Sequence, residues 1–449
     1  MLPPRRFDAR ERRALAAIFL AAALASLDIS IANTALPAIA ASMRAAPADS
    51  IWVVNAYQLS VVAVLLPFAA LGDRIGARTV YLGGRALFAT ASLACALAPT
   101  LSGLALARVV QGLGGGALMS VNIALVRKVY PPEHLGRGVG LNALAVGLAF
   151  SLGPTVASLV LAVASWPWLF AINVPLGALA LAFAWNALPH PDAGPRPRVD
   201  PFTALLTALT FAALVFALSA AAQRASWPMV AAALAVTVGA GALVLRRQAG
   251  DTAPMLPVDL LRRPLFALSA ITATGAFTTQ GLAFVALPFY FQGVLQRDPV
   301  QTGFLILPWA AVVALAAPFA GRLSDRYPPG ALGGAGLAML AIGMAALAAL
   351  PADASVLDIV LRMALCGAGF SLFQSPNLNA LMSSAPPERS GGASGVIALA
   401  RLIGQAIGAA LVALCFGLAG AAGPTWALGL GAAFAAAACA TSTARLWAR

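Results

Sequence analysis

Asp28 is a lone carboxylate inside the apolar stretch Ala14–Pro37, and its position governs much of what the chain can do chemically. An ionisable side chain near the centre of a bilayer is costly, so it is retained where it faces a cavity, a partner or a proton path. A cation stands at a matching depth in another apolar stretch. At about 1.5 Å per residue, Asp28 lies roughly 21 Å from the inner start of its stretch and Arg108 about 10 Å from the outer start of its own, the same level in a hydrocarbon core about 30 Å thick. Desolvation favours the neutral acid and a nearby cation favours the charged one, so a change of surroundings would make Asp28 take up or release a proton. A cationic compound entering beside Asp28 would favour the charged form and compete with the proton. Asp28 and Arg108 are therefore the expected proton-coupling pair.

The elements that must hold this pair are membrane helices. Of the 449 residues 61% are hydrophobic and 10% charged, with a mean hydropathy of +0.88, whereas soluble domains carry roughly 25% charged residues. The chain reads as an all-α polytopic membrane protein. Apolar stretches near the roughly 20 residues a span needs fall at 14–38, 51–71, 79–98, 101–126, 137–163, 168–188, 202–222, 228–246, 265–291, 301–321, 331–350, 355–382, 392–417 and 424–446, which predicts fourteen helices. The basic opening and first apolar run mimic a leader peptide, but the run continues past Asp28 and more spans follow, so it is expected to remain as the first helix. With the N-terminus inside, 21 of the 28 Lys and Arg residues fall in inner segments and only Arg44, Arg224 and Arg297 in outer loops. That asymmetry is the one expected of an inner (plasma) membrane protein with both termini cytoplasmic. It also accounts for the net charge of +13 through anionic lipid beside helix ends, without nucleic acid. Cys95, Cys366, Cys415 and Cys439 lie singly in apolar runs and read as small core hydrophobes.

An internal repeat divides the chain. Leu71-Gly72-Asp73-Arg74 recurs as Leu323-Ser324-Asp325-Arg326, and the segment opened by Arg108 recurs weakly at Arg362. The predicted organisation is a six-helix half over 1–188, a linker with two extra helices over 189–264, and a parallel six-helix half over 265–449. Parallel halves related about the membrane normal build many secondary transporters, with the substrate site between them near the midplane. Asp73 with Arg74, and Asp325 with Arg326, are expected to hold the inner side closed in one state through an ion pair or a helix-end contact. Gly147 and Gly153-Pro154 predict a small-residue seam and a kink that let two helices rock. Arg401 and Gln405, one turn apart near mid-depth, are a candidate second-half gating pair. Arg85 is expected to snorkel to the inner surface. Candidate cavity residues are Asn33, Trp52, Asn55, Tyr57, Gln58, Gln111, Gln280, Tyr290, Gln374, Asn377 and Gln405.

Several motifs carry a resemblance. Leu27-Asp28-Ile29-Ser30-Ile31-Ala32-Asn33-Thr34-Ala35-Leu36-Pro37 resembles the first-helix motif of the fourteen-helix drug/proton antiporters of the major facilitator superfamily. AALGDRIGAR at 69–78 is similar to the superfamily's loop signature, Arg108–Gly114 to its fourth-helix motif, and Gly147 through Pro154 to the antiporter motif of the fifth helix. The segment Trp166–Gly177 resembles one associated with the fourteen-helix branch, and exporters of methyl viologen and quaternary ammonium compounds look nearest. Ala69 and Ala77 depart from the usual glycine and arginine of the loop signature, and Ala157-Ser158 from a customary glycine pair. The resemblance implies a monomeric antiporter that exports lipophilic, cationic drugs or antiseptics by alternating access. A proton gradient would supply the energy, with no cofactor. Export of an endogenous metabolite is the alternative, and a non-transporting membrane sensor is another of a different class. An enzyme is not expected: Lys128 is the one lysine and sits in no phosphate loop, and His134 and His190 belong to no hydrolytic motif.

Overall fold

The computed structural model describes residues 8–130, 135–189, 200–222, 226–249, 258–324, 326–386 and 390–447. These are helical throughout, with no strand among them. The first half holds α1 (Ala9–Ser42), the short α2 (Pro47–Ser50), α3 (Trp52–Ile75), α4 (Ala77–Ala96), α5 (Leu101–Val129), α6 (Leu135–Val163), the short α7 (Pro167–Ala171) and α8 (Asn173–Ala187). Next come α9 (Pro201–Ala222), α10 (Trp227–Arg247) and the short α11 (Val258–Leu261). The second half holds α12 (Pro264–Phe289), α13 (Pro299–Ser324), α14 (Pro329–Ala348), α15 (Val356–Ser384), α16 (Ser390–Ala419) and α17 (Gly423–Ala444).

Local chemistry sets several boundaries. Asp8 and Glu11 form a reciprocal capping box at the start of α1, and Thr100 caps α5 by accepting from the Gly103 amide. Between α3 and α4 the chain reverses through Gly76, whose φ of +97° is open to glycine and strained for other residues. Twelve stretches of the described residues are long and apolar enough to cross a membrane. One of them, Gly395–Ala444, contains both α16 and α17, while α4, with Arg78 and Arg85, is not among them. The predicted count of fourteen is thus approximate.

Packing repeats between the halves. α1 packs on α6 and α8 as α12 packs on α16 and α17; α5 packs on α3 and α4 as α15 packs on α13 and α14. The halves meet through the same exchange, α6 against α13 and α3 against α16. Small residues let backbones touch: a Cβ on Gly112 would lie 2.6 Å from the Tyr57 carbonyl oxygen, and one on Gly408 2.6 Å from the Leu282 nitrogen. Where α6 meets α13, a Cβ on Gly303 would lie 2.6 Å from the Pro154 carbonyl oxygen and would also strike Ser158. An aromatic row, Phe150, Phe284 and Trp309, crosses between the halves with centroid separations of 5.2 and 5.5 Å. The α9–α10 pair lies to the side, with α9 against α3 and α16.

Candidate functional site

Inside the first half, α1, α5 and α8 close a polar cage around Asp28. Its Oδ1 accepts from Gln111 Nε2 at 2.9 Å and from Asn173 Nδ2 at 2.8 Å, and its Oδ2 accepts from Arg108 Nη1. Arg108 Nη1 also donates to Gln111 Oε1 at 2.6 Å, and Arg108 Nε to the Val53 carbonyl at 2.9 Å. Gln111 stands one turn beyond Arg108 on the same face of α5, which lets the two act on one carboxylate. The guanidinium lies 4.2 Å from the Tyr57 ring centroid and 5.5 Å from that of Phe170. Ser92 of α4 accepts from Gln111 Nε2 at 2.9 Å. A side chain at Gly115 would strike the Tyr57 hydroxyl, so the glycines of α5 make room for this ring.

Burial makes the two charges depend on each other. Asp28 is 1% exposed and Arg108 0%, and the ion pair is neutral as a unit. Protonating Asp28 would leave Arg108 as a buried cation without its counter-ion, which is strongly unfavourable unless the surroundings rearrange. Two polar atoms of the cage, Tyr57 Oη and Arg108 Nη2, are buried without a hydrogen-bond partner. The arrangement can therefore link proton uptake at Asp28 to movement of Arg108.

The other sequence candidates separate into groups. Asn33, Asn55 and Gln58 are buried near the cage's helices and keep polar atoms without partners. Gln280 and Gln405 join α12 to α16 by a 3.1 Å hydrogen bond. Gln374 is exposed and Arg401 half-buried. Trp52, expected in a cavity, instead stacks beside Phe216 of α9 at 6.2 Å, because α9 covers that face of α3. Tyr290 is buried and donates to the Leu350 carbonyl at 3.3 Å within the second half. Asn377 is taken up by Arg445, which donates to its Oδ1 at 2.7 Å and to Ser269 Oγ at 3.1 Å. Arg445 itself is buried, where the charge map counted it among the basic residues of inner segments beside helix ends.

The expected gating contacts differ as well. Asp73, Arg74 and Arg326 are exposed and make no ion pair among the described residues. Asp325 lies outside the described residues. Among the described residues nothing lies within 4 Å of a Cβ built on Gly147, whereas Gly153 packs against Ser30 of α1. Arg85 does not snorkel: it is fully buried between α4 and α8, with Nε donating to the Gly177 carbonyl at 3.3 Å. Sequence reasoning missed Asn173 and Ser92 as cage members. Asn173 stood in the Trp166–Gly177 segment as a polar residue in an apolar context, the one signal that could have marked it.

Comparison with known proteins agrees with this architecture. Residues 18–409 match the Major Facilitator Superfamily. The chain is 50% identical over 402 residues to the uncharacterized transporter YebQ of Escherichia coli, covering 89% of this chain and 88% of that one. It is 26% identical to the riboflavin transporter RibZ of Clostridioides difficile, covering 88% and 85%, and 32% identical to the multidrug resistance protein Stp of Mycobacterium tuberculosis, covering 86% and 72%. Among solved structures, the POT family transporter PepTSo superposes with a TM-score of 0.73 at 15% identity, covering 97% of this chain and 98% of that one.

Proposed function

Since the chain belongs to the major facilitator superfamily, we propose that it is a proton-coupled exporter of lipophilic small molecules working by alternating access. The observation that carries this is the sealed Asp28–Arg108 ion pair, caged by Gln111 and Asn173. Proton uptake at Asp28 breaks the pair, and the freed Arg108 drives the first half toward its other packing arrangement. In this reading the protein is a monomer in the inner membrane with both termini cytoplasmic. Fourteen spans follow if α4 crosses and Gly395–Ala444 crosses twice. The proton gradient is the energy source.

The multidrug resistance protein Stp favours drug export and the riboflavin transporter RibZ keeps a metabolite open as cargo. The competition expected at Asp28 between proton and cationic drug is not favoured, because three donors already occupy the carboxylate and it is 1% exposed. Coupling through Arg108, rather than through direct contact of cargo with Asp28, fits that enclosure better. The test is a compound-panel transport assay in proteoliposomes comparing parent and Asp28→Asn. Gradient-driven accumulation should disappear in the variant while cargo exchange without a gradient persists. Unchanged gradient-driven accumulation by Asp28→Asn would refute the proposal.

A further inference from the structure

We propose that Arg401 binds an anionic oxygen group on the transported molecule, so that the cargo is a lipophilic anion. This rests on the transporter reading above and adds the cargo's charge to it. Most deep arginines of the described residues are held by protein groups. Arg108 pairs with Asp28, Arg362 with Asp358 at 2.8 Å, and Arg445 with Asn377 and Ser269. Arg85 has the Gly177 carbonyl and the Phe88 ring, but its Nη1 and Nη2 are sealed without a partner. Arg401 has no ion pair and no hydrogen bond among the described residues. None of its nitrogens is among the sealed, partnerless polar atoms of the described residues, so the guanidinium, unlike that of Arg85, keeps some accessible surface within enclosed surroundings.

Its place on α16 says which space. Ile403 and Ile407 line an apolar groove of about 730 Å³ on the flank of the second half. Gly404 and Gly408 press against α12, and Leu402 and Ala406 belong to the core shared with the first half. At 100° per residue, these directions leave Arg401 on the side away from the groove, between α12 and the first half. It therefore opens on the seam between the halves. Gln405, one turn on, adds an amide to the same seam and is already joined to Gln280. Asp28 cannot offset this cation, being enclosed and fully donated to.

A guanidinium left unpaired at membrane depth is expensive and is kept where function uses it. Its planar fork matches carboxylate, sulfonate or phosphate oxygens in a bidentate pair. Buried apolar neighbours on the same helix, Leu402 and Ala406, suit an aromatic or aliphatic body carrying one such group. The electrical consequence is distinct. An anion leaving in exchange for an entering proton moves charge in one direction on both legs, so the exchange responds to membrane potential, whereas a one-for-one cation exchange would not.

The experiment uses the full chain in proteoliposomes with two permanently charged probes, naphthalene-2-sulfonate and (naphthylmethyl)trimethylammonium, neither of which follows a pH gradient passively. The parent should accumulate the sulfonate and respond to an imposed potential at zero pH gradient. Arg401→Gln should lose roughly tenfold or more of sulfonate transport, the scale of one charge-assisted hydrogen bond, while Arg401→Lys keeps part of it. Transport of the ammonium probe in preference to the sulfonate by the parent, a comparison that needs no variant, would overturn the anion assignment and leave the transporter reading standing. Equal sulfonate transport by Arg401→Gln and the parent would do the same. Transport of neither probe would overturn both.

Discussion

Replacing Arg108 by glutamine and Asp28 by asparagine, singly and together, tests the cage quantitatively. In Asp28→Asn the carboxylate's acceptor capacity for three donors falls to one amide oxygen, and the new Nδ2 faces either Arg108 or the amides of Gln111 and Asn173. In Arg108→Gln the anion keeps its two amide donors but loses its counter-ion and the guanidinium packed on Tyr57. Removing one partner of a buried ion pair typically destabilises by about 3–5 kcal/mol, and each buried donor left without an acceptor adds about 1–3 kcal/mol. The double variant holds no net charge in the cage, so it should lose clearly less than the sum of the two singles. Thermal unfolding of the detergent-solubilised protein at a fixed scan rate reads the three losses, the fixed rate being needed because large membrane proteins unfold irreversibly. Single losses that simply add in the double variant would show that the two side chains do not depend on each other, and the coupling scheme would fall.

Three further outcomes are expected. Gly303→Val should wedge α13 from α6 where Gly303 meets Pro154 and Ser158, raising the reactivity of a Ser158→Cys probe toward an impermeant maleimide; unchanged labelling would show that this contact does not hold the halves together. Gly408→Ala should lower thermal stability by about 1–3 kcal/mol, because the added methyl meets the backbone of Leu282 and Thr278. A gain in unfolding temperature would contradict that packing. At the start of α9, bonds from Thr203 and Arg247 hold the Asp200 carboxyl down at about 2 from its ordinary 3.8. Its contribution is therefore present above about pH 4 and lost as pH falls toward 2. The unfolding temperatures of parent and Asp200→Asn should differ from pH 5 to 8 and converge in acid. A gap that stays constant down to pH 2 would refute the assignment.

The segment map, the repeat and the shared depth of Asp28 and Arg108 were legible in the sequence, because depth along a helix is only a residue count multiplied by the rise. That arithmetic placed the two side chains at one level, and the structure joins them in an ion pair. Rotation about each helix axis was not legible. These helices are apolar nearly all round, so no polar stripe marks the face that turns inward, and only neighbouring helices decide it. That is why Asn377 turned toward Arg445, Tyr290 toward Leu350 and Trp52 toward α9, while Asn173 came to Asp28. The same reason separates the two central arginines. Sequence placed Arg108 and Arg401 alike within membrane spans, and tertiary packing alone gave one a carboxylate and left the other half-buried with no ion pair among the described residues.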